Sequence, residues 1–270
     1  MKKYLKLFAV WSFMMFFVSA HARNLNVVSF NLEAEGANIY VLANQLEHLS
    51  REKDVDIWFF TDMQPEWTDE LANAVAIGSE VEVDFIPRNG GRDNRFLIVY
   101  NKERFEVLAV DNPEIGRSFR KNTVSLVKFK ERESGKSFMT LLQPYSQSNY
   151  LHTYITEDLI AWAEQLNDPV VALGHFDFEW SISRGDTFLD SKYLEMVSGD
   201  IFKWVRPITL IPTNCERRDK ISDFILTSGG ANNWPAHAEI IQMGLNYCVD
   251  HRKNNHDSNH RPVYASFKIN

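Results

Sequence analysis

Short apolar runs, set off by polar and turn residues, recur along most of the chain. "NLNVVSF" (Asn24 to Phe30), "VDIWFFT" (Val55 to Thr61), "VEVDFI" (Val81 to Ile86), "RFLIVYN" (Arg95 to Asn101) and "FEVLAV" (Phe105 to Val110) come first. "TVSLVKF", "SFMTLLQ", "PVVALG", "ISDFILTS" and "VYASFKI" carry the series to the C-terminal end. Each run is rich in β-branched and aromatic residues and predicts a strand. Two segments instead repeat with a helical period: 38–51, with Ile39, Leu42, Leu46 and Leu49 on one face, and 150–166, with Leu151, Ile155, Leu159 and Trp162. "RNGGRDN" (Arg88 to Asn94) reads as an exposed turn. Several strand pairs are joined by loops too short for a crossover helix. The pattern therefore predicts an α/β protein built as a layered sandwich of two packed sheets covered by helices, rather than a doubly wound parallel sheet.

One apolar run stands apart. Lys2, Lys3 and Lys6 precede the stretch from Leu7 to Val18, which ends in Ala20-His21-Ala22, the pattern of a secretory signal peptide with a small-residue cleavage site. Residues 1–22 are expected to be this leader and 23–270 a single domain, since no linker, repeat or low-complexity tract divides the rest. The run is short for a bilayer span and no later segment approaches the needed length, so the expectation is an exported protein, periplasmic or secreted, without stable membrane insertion. Removing three lysines and no acidic residue takes the formal net charge from −7 to −10. That balance gives no support to nucleic acid as a partner held by charge alone. Cys215 and Cys248 are the chain's two cysteines. In an oxidising compartment a disulfide between them is the default, worth about 3 kcal/mol by loop-closure entropy; a two-cysteine metal site is the rival, without CxxC spacing to support it.

Polar residues at strand ends on one rim of such a fold are where a site would be built. Asn31 follows the first strand, Asp62 the second, and Gln143 closes "SFMTLLQ". His175 and Asp177 follow the glycine of "VALGHFDF", Asp223 lies within "ISDFIL", and Asn259 and His260 precede the last strand.

Taken in order and spacing, these segments resemble the endonuclease/exonuclease/phosphatase superfamily, metal-dependent phosphoesterases with a DNase I-like fold. The likeness runs from "VVSFNLE" through "DIWFFTDMQ", "RFLIVYNKERFEVL", "PVVALGHFDF" and "KISDFILTSG" to "HRPVYASF". It implies a four-layer α/β/β/α sandwich and a phosphoester hydrolase using a divalent metal, Mg²⁺ or Mn²⁺. The superfamily's site has an asparagine after the first strand, a glutamate ending the next, a central histidine, a Gly-Asp-x-Asn loop, a late-strand aspartate and a terminal Ser-Asp-His. Asn31, Asp223 and His260 keep their places. The glutamate has become Asp62, the central histidine falls on Gln143 or Pro144, the loop reads Gly174-His175-Phe176-Asp177, and the terminal motif reads Ser258-Asn259-His260.

The resemblance assigns His260, Asp223, His175 and Asp177 to catalysis, and Asp62, Asn31 and Asn259 to the metal. Asn31 also falls to phosphate contact, where Arg217 and Arg218 of "CERRDK" could join it. Each exchange changes the chemistry. Asp62 is one methylene shorter than glutamate, and Asn259 removes a negative charge from the metal pocket, which weakens a hard cation. Asp177 in place of asparagine, facing a phosphate at ~4 Å, costs on the order of 4 kcal/mol at an effective dielectric of ~20, about three decades of rate. His175 cuts either way: an imidazole serves as a general base and suits zinc better than magnesium.

The expectation is an exported relative of metal-dependent phosphoester hydrolases with a degenerate metal site, weak or lost hydrolysis, and a cleft for a phosphorylated or other anionic ligand. Two alternatives stay open: an active nuclease or phosphatase with a rebuilt site, and a non-catalytic envelope binding protein. Plainer readings stand beside the site. Asp223 and His260 could be a satisfied core pair, Asn31 a strand-end turn residue, "CERRDK" a solvated charge run, and His251, His256 and His260 parts of an ordinary loop.

Overall fold

The computed structural model describes residues 23–32, 37–89, 95–111, 124–143, 152–243 and 258–269. The expected leader and Cys248 lie outside them, as do Pro144, His251, His256 and most of the Arg88 to Asn94 turn. No helix among the described residues is long and apolar enough to cross a membrane.

The strands are β1 (Leu25–Asn31), β2 (Ile57–Thr61), β3 (Val83–Asn89), β4 (Arg95–Asn101), β5 (Phe105–Asp111), β6 (Ser125–Glu131), β7 (Ser137–Gln143), β8 (Val170–Ser181), β9 (Phe202–Trp204), β10 (Lys220–Ser228), β11 (Ala236–Ile240) and β12 (Val263–Phe267). They form two six-stranded sheets, one ordered β11-β12-β1-β2-β4-β3 and the other β5-β6-β7-β8-β10-β9. The helices are α1 (Ile39–Glu52), α2 (Thr68–Ser79), α3 (His152–Ala163) and α4 (Ser191–Val197). Among the described strands, only the β1–β2 and β7–β8 ladders run parallel, and those are the two connections that carry a crossover helix, α1 and α3. Every other strand pairing among the described residues is antiparallel.

Alternation along the strands explains the layers. Val28, Phe30, Trp58, Phe60, Leu97 and Val99 pack under Leu42, Leu46 and Leu49 of α1 and Leu71 and Val75 of α2. Their neighbours Val27, Ile57, Phe59, Phe96 and Ile98 turn to the opposite side and join Phe129, Phe138, Leu141, Leu173 and Ile225 of the second sheet. Both faces are buried, so these runs read as continuously apolar. The result is the layered α/β sandwich that the pattern predicts.

The structure also departs from the sequence reading. α2, α4, β9 and β11 are elements that the pattern did not announce. The strand expected to end at Gly174 continues to Ser181, so His175 and Asp177 lie within β8 rather than beyond it. Its pairing with β10 is irregular: Trp180 opposes Ile221 and His175 opposes Asp223, leaving four residues of β8 against one of β10. This bulge gives the loop-like character that the motif carries.

Candidate functional site

The parallel strands place the site. Asn31 and Thr61 are register partners at the C-terminal ends of β1 and β2, and Gln143 opposes Gly174 where β7 ends. Gly174 has φ 129°, and a Cβ there would fall 2.1 Å from the Gln143 carbonyl oxygen, so only glycine permits this close approach before His175. The chain before β12 returns to the same rim. Ser258 Oγ donates to the Asn31 carbonyl at 2.6 Å and accepts from the His260 backbone N–H at 2.9 Å.

Asp223 is the hub. Its Oδ2 lies 2.7 Å from His260 Nδ1, and its Oδ1 lies 3.4 Å from His175 Nδ1. The two imidazoles meet edge to face with centroids 5.4 Å apart. One ligand atom from each of the three residues falls within 4.8 Å of the others. Burial opposes ionisation of the Asp223 carboxyl, but the two histidines outweigh it and hold the group well below the usual carboxylate range.

Beside the bulge, the Ser222 and Asp223 backbone N–H groups share one side-chain acceptor. Thr213 Oγ1 accepts from both, at 3.0 and 3.3 Å. The next residue, Asn214, spans two structures. Its Oδ1 accepts from the backbone N–H groups of Glu216 and Arg217, at 2.9 and 3.2 Å, while its Nδ2 lies 3.0 Å from His260 Nε2. Cys215 then donates its backbone N–H to the Asn259 carbonyl at 2.7 Å, and Arg261 donates its own to the Thr213 carbonyl at 2.7 Å. Thr213 and Asn214 were not read as site residues. The asparagine at the head of "NCER" is an ordinary turn signal, and nothing local announces a partner 46 positions away.

The remaining expected residues divide. Asn31 is buried, and Asp62 follows β2 with φ 51°, the left-handed region that aspartate tolerates. Asp62 is not part of the His175, Asp223 and His260 cluster. Asn259 Oδ1 is buried without a hydrogen-bond partner among the described residues. The side chain of Asp177 lies outside the described atoms. Arg217 pairs with Glu179, to which Lys220 also reaches at 3.0 Å. Arg218 is exposed.

These facts bear unequally on a metal. The oxygen side of the rim offers groups of the kind a hard cation takes: Asn259 Oδ1 is buried without a hydrogen-bond partner among the described residues, and Asn31 and Asp62 stand at the C-terminal ends of β1 and β2. Asp62, Asn31 and Asn259 are the oxygen groups on this rim that could hold such an ion, and an ion there would polarise a bound phosphoryl oxygen. The imidazole side fits less well, because both oxygens of Asp223 already face histidine nitrogens.

Two six-stranded sheets with helices outside them form the DNase I-like fold, which the chain shares with solved structures of endonuclease/exonuclease/phosphatase proteins. The chain superposes on a Bacteroides thetaiotaomicron protein of that family with a TM-score of 0.67 at 14% identity, covering 92% of this chain and 98% of that one. A mannosyl-6-phosphatase from the same species gives 0.64 at 15% identity, over 91% of this chain and 100% of that one. Danio rerio TDP2 complexed with a single-strand DNA product gives 0.62 at 14% identity, over 91% and 99%. No family model and no curated protein sequence matches the chain.

Proposed function

We propose that this is an exported protein of the endonuclease/exonuclease/phosphatase superfamily whose phosphoesterase site has been altered, so that hydrolysis is weak or absent while the cleft still receives a phosphorylated or other anionic ligand. The observation that carries this reading is the sharing of Asp223. Where the superfamily pattern places a carboxylate in the β8 loop, this chain has His175, whose Nδ1 lies 3.4 Å from the Asp223 oxygen that His260 leaves. The cluster is thereby turned inward, and the oxygen side retains Asp62 as its one formal charge among Asn31, Asp62 and Asn259. Export rests on the leader pattern, and a Cys215–Cys248 disulfide accords with the lack of a free cysteine among the described residues.

A second reading is favoured by one observation. Asn259 Oδ1, buried without a hydrogen-bond partner among the described residues, suits an ion, so an active phosphomonoesterase or phosphodiesterase with a rebuilt site is the alternative. A protein that only binds, on the cell envelope, is the third reading and predicts no tight divalent metal.

The test is hydrolysis of a generic phosphomonoester and a generic phosphodiester by the purified protein with Mg²⁺, Mn²⁺ or Zn²⁺, with His260→Ala as control. The expected result is background in both proteins under every metal. Turnover that His175→Ala and His260→Ala each abolish would establish the rebuilt enzyme instead.

A further inference from the structure

Asn214 sits on the outer nitrogen of His260, and its amide cannot be turned around. Its Oδ1 is committed to two backbone N–H groups, those of Glu216 and Arg217. The group facing His260 is therefore the NH₂, which only donates. His260 Nε2, 3.0 Å away, must accept, and so bears a lone pair. The proton of that ring resides on Nδ1, where Asp223 Oδ2 receives it at 2.7 Å. One tautomer satisfies both partners at once, and His260 is buried with 3% of its surface exposed.

We propose that Asn214 is a positioning residue that fixes the Nδ1–H tautomer of His260 and closes its Nε2 to a divalent metal ion. The proposal deepens the altered-site reading and rests on it. A histidine whose Nδ1–H is held by a carboxylate is otherwise the standard arrangement for an Nε2 metal ligand. Here a second donor occupies the lone pair that an ion would need. The same amide leaves Nε2 unable to donate to a phosphoryl oxygen, because no proton is there to give. Asn214 also ties this nitrogen to the 214–217 turn, whose Cys215 N–H holds the Asn259 carbonyl, so the block and the neighbouring oxygen side form one unit.

Two variants test it. Asn214→Ala removes the block and the turn cap together. Asn214→Ser keeps a short oxygen for the backbone N–H groups while losing the reach to His260. Binding of Zn²⁺ alone is measured by calorimetry on the purified protein, and the tautomer of His260 is read from its two ring ¹⁵N resonances, assigned by their loss in His260→Ala. The wild type is expected to show a protonated Nδ1 and a lone pair on Nε2. Both variants are expected to bind Zn²⁺ about ten-fold more tightly, with the gain cancelled by adding His260→Ala. A protonated Nε2 in the wild type, or unchanged Zn²⁺ affinity in a folded Asn214→Ser protein, overturns the proposal. Hydrolysis by the wild type would sink the altered-site reading alone, since the ¹⁵N result stands or falls independently of turnover.

Discussion

Asp223 shows how a carboxylate can stay ionised where water is excluded. Burial by itself would favour the protonated acid, and the two imidazoles reverse that preference. The folded-state pKa is thus below the ordinary value of 3.8, so the unfolded chain takes up a proton first as pH falls. The stabilisation is complete above the unfolded pKa and is lost as pH drops through it toward the folded value. Asp223→Asn is expected to lose about 2 kcal/mol at neutral pH, since a charged acceptor of a buried hydrogen bond is removed. It should also narrow the gap between urea unfolding at about pH 7 and at about pH 3, because the group that produces part of the acid slope is gone. An unchanged gap would place the acid sensitivity elsewhere. At this scale the sequence disclosed identities: His175, Asp223 and His260 were all singled out. It did not disclose that one carboxylate serves both histidines, because β8 and β10 must pair with a four-against-one bulge for that to happen.

At the scale of elements, legibility followed side-chain size. α1 has a leucine stripe and an Asn38 cap whose Oδ1 accepts from the Tyr40 N–H at 2.9 Å, so its period and start are both visible. α2 hides because much of its buried side is small, Ala72, Ala74 and Gly78 beside Leu71 and Val75. The small residues are there for contact with α1. A Cβ on Gly78 would lie 2.3 Å from the Glu47 carbonyl oxygen and 2.7 Å from Ser50 Cβ. Alanine gains about 1 kcal/mol of helix propensity over glycine, but overpacking against a backbone atom costs about 1–3 kcal/mol. Gly78→Ala is therefore expected to lower the urea midpoint by forcing the two helices apart, and a raised midpoint would show that the pair shifts freely. β9 and β11 escaped for a different reason: three residues of "FKW" and the mixed "AHAEI" carry too little pattern to stand out from loop.

Across the whole molecule, the two rims of the sandwich have separate duties. Opposite the site, at the N-terminal starts of β1 and β2, Arg104 spends every N–H it has. It donates to Asp56 Oδ2 at 2.6 Å, to Glu131 Oε1 at 2.5 and 2.9 Å, and to the Asn24 and Arg23 carbonyls at 2.7 and 2.8 Å. Glu131 belongs to the second sheet and Asp56 precedes β2 of the first, so one guanidinium joins both. Burial pushes the Asp56 carboxyl up, and Arg104 opposes that rise. Arg104→Ala would leave buried Asp56 with Arg23, 3.9 Å away and half exposed, as its remaining counter-ion, at a cost of about 3 kcal/mol. Thermal denaturation should register the loss, whereas the His260 ring ¹⁵N pattern should stay as in the wild type, because the network lies at the other end of the strands. A change in that pattern would show that the rims are coupled.

The sequence by itself determined the class of architecture and the identities of most rim residues. Runs apolar on both faces require helices outside two packed sheets, and polar residues closing those runs can lie only at their ends. Tertiary structure alone decided which of those residues meet. Asp223 faces His175 because a bulge brings them opposite one another, and Asn214 reaches His260 because the 213–217 turn and the segment before β12 are adjacent in space. Tautomer, hydrogen-bond direction and the closing of one nitrogen follow from contacts between positions 37 and 46 residues apart, which no local pattern encodes.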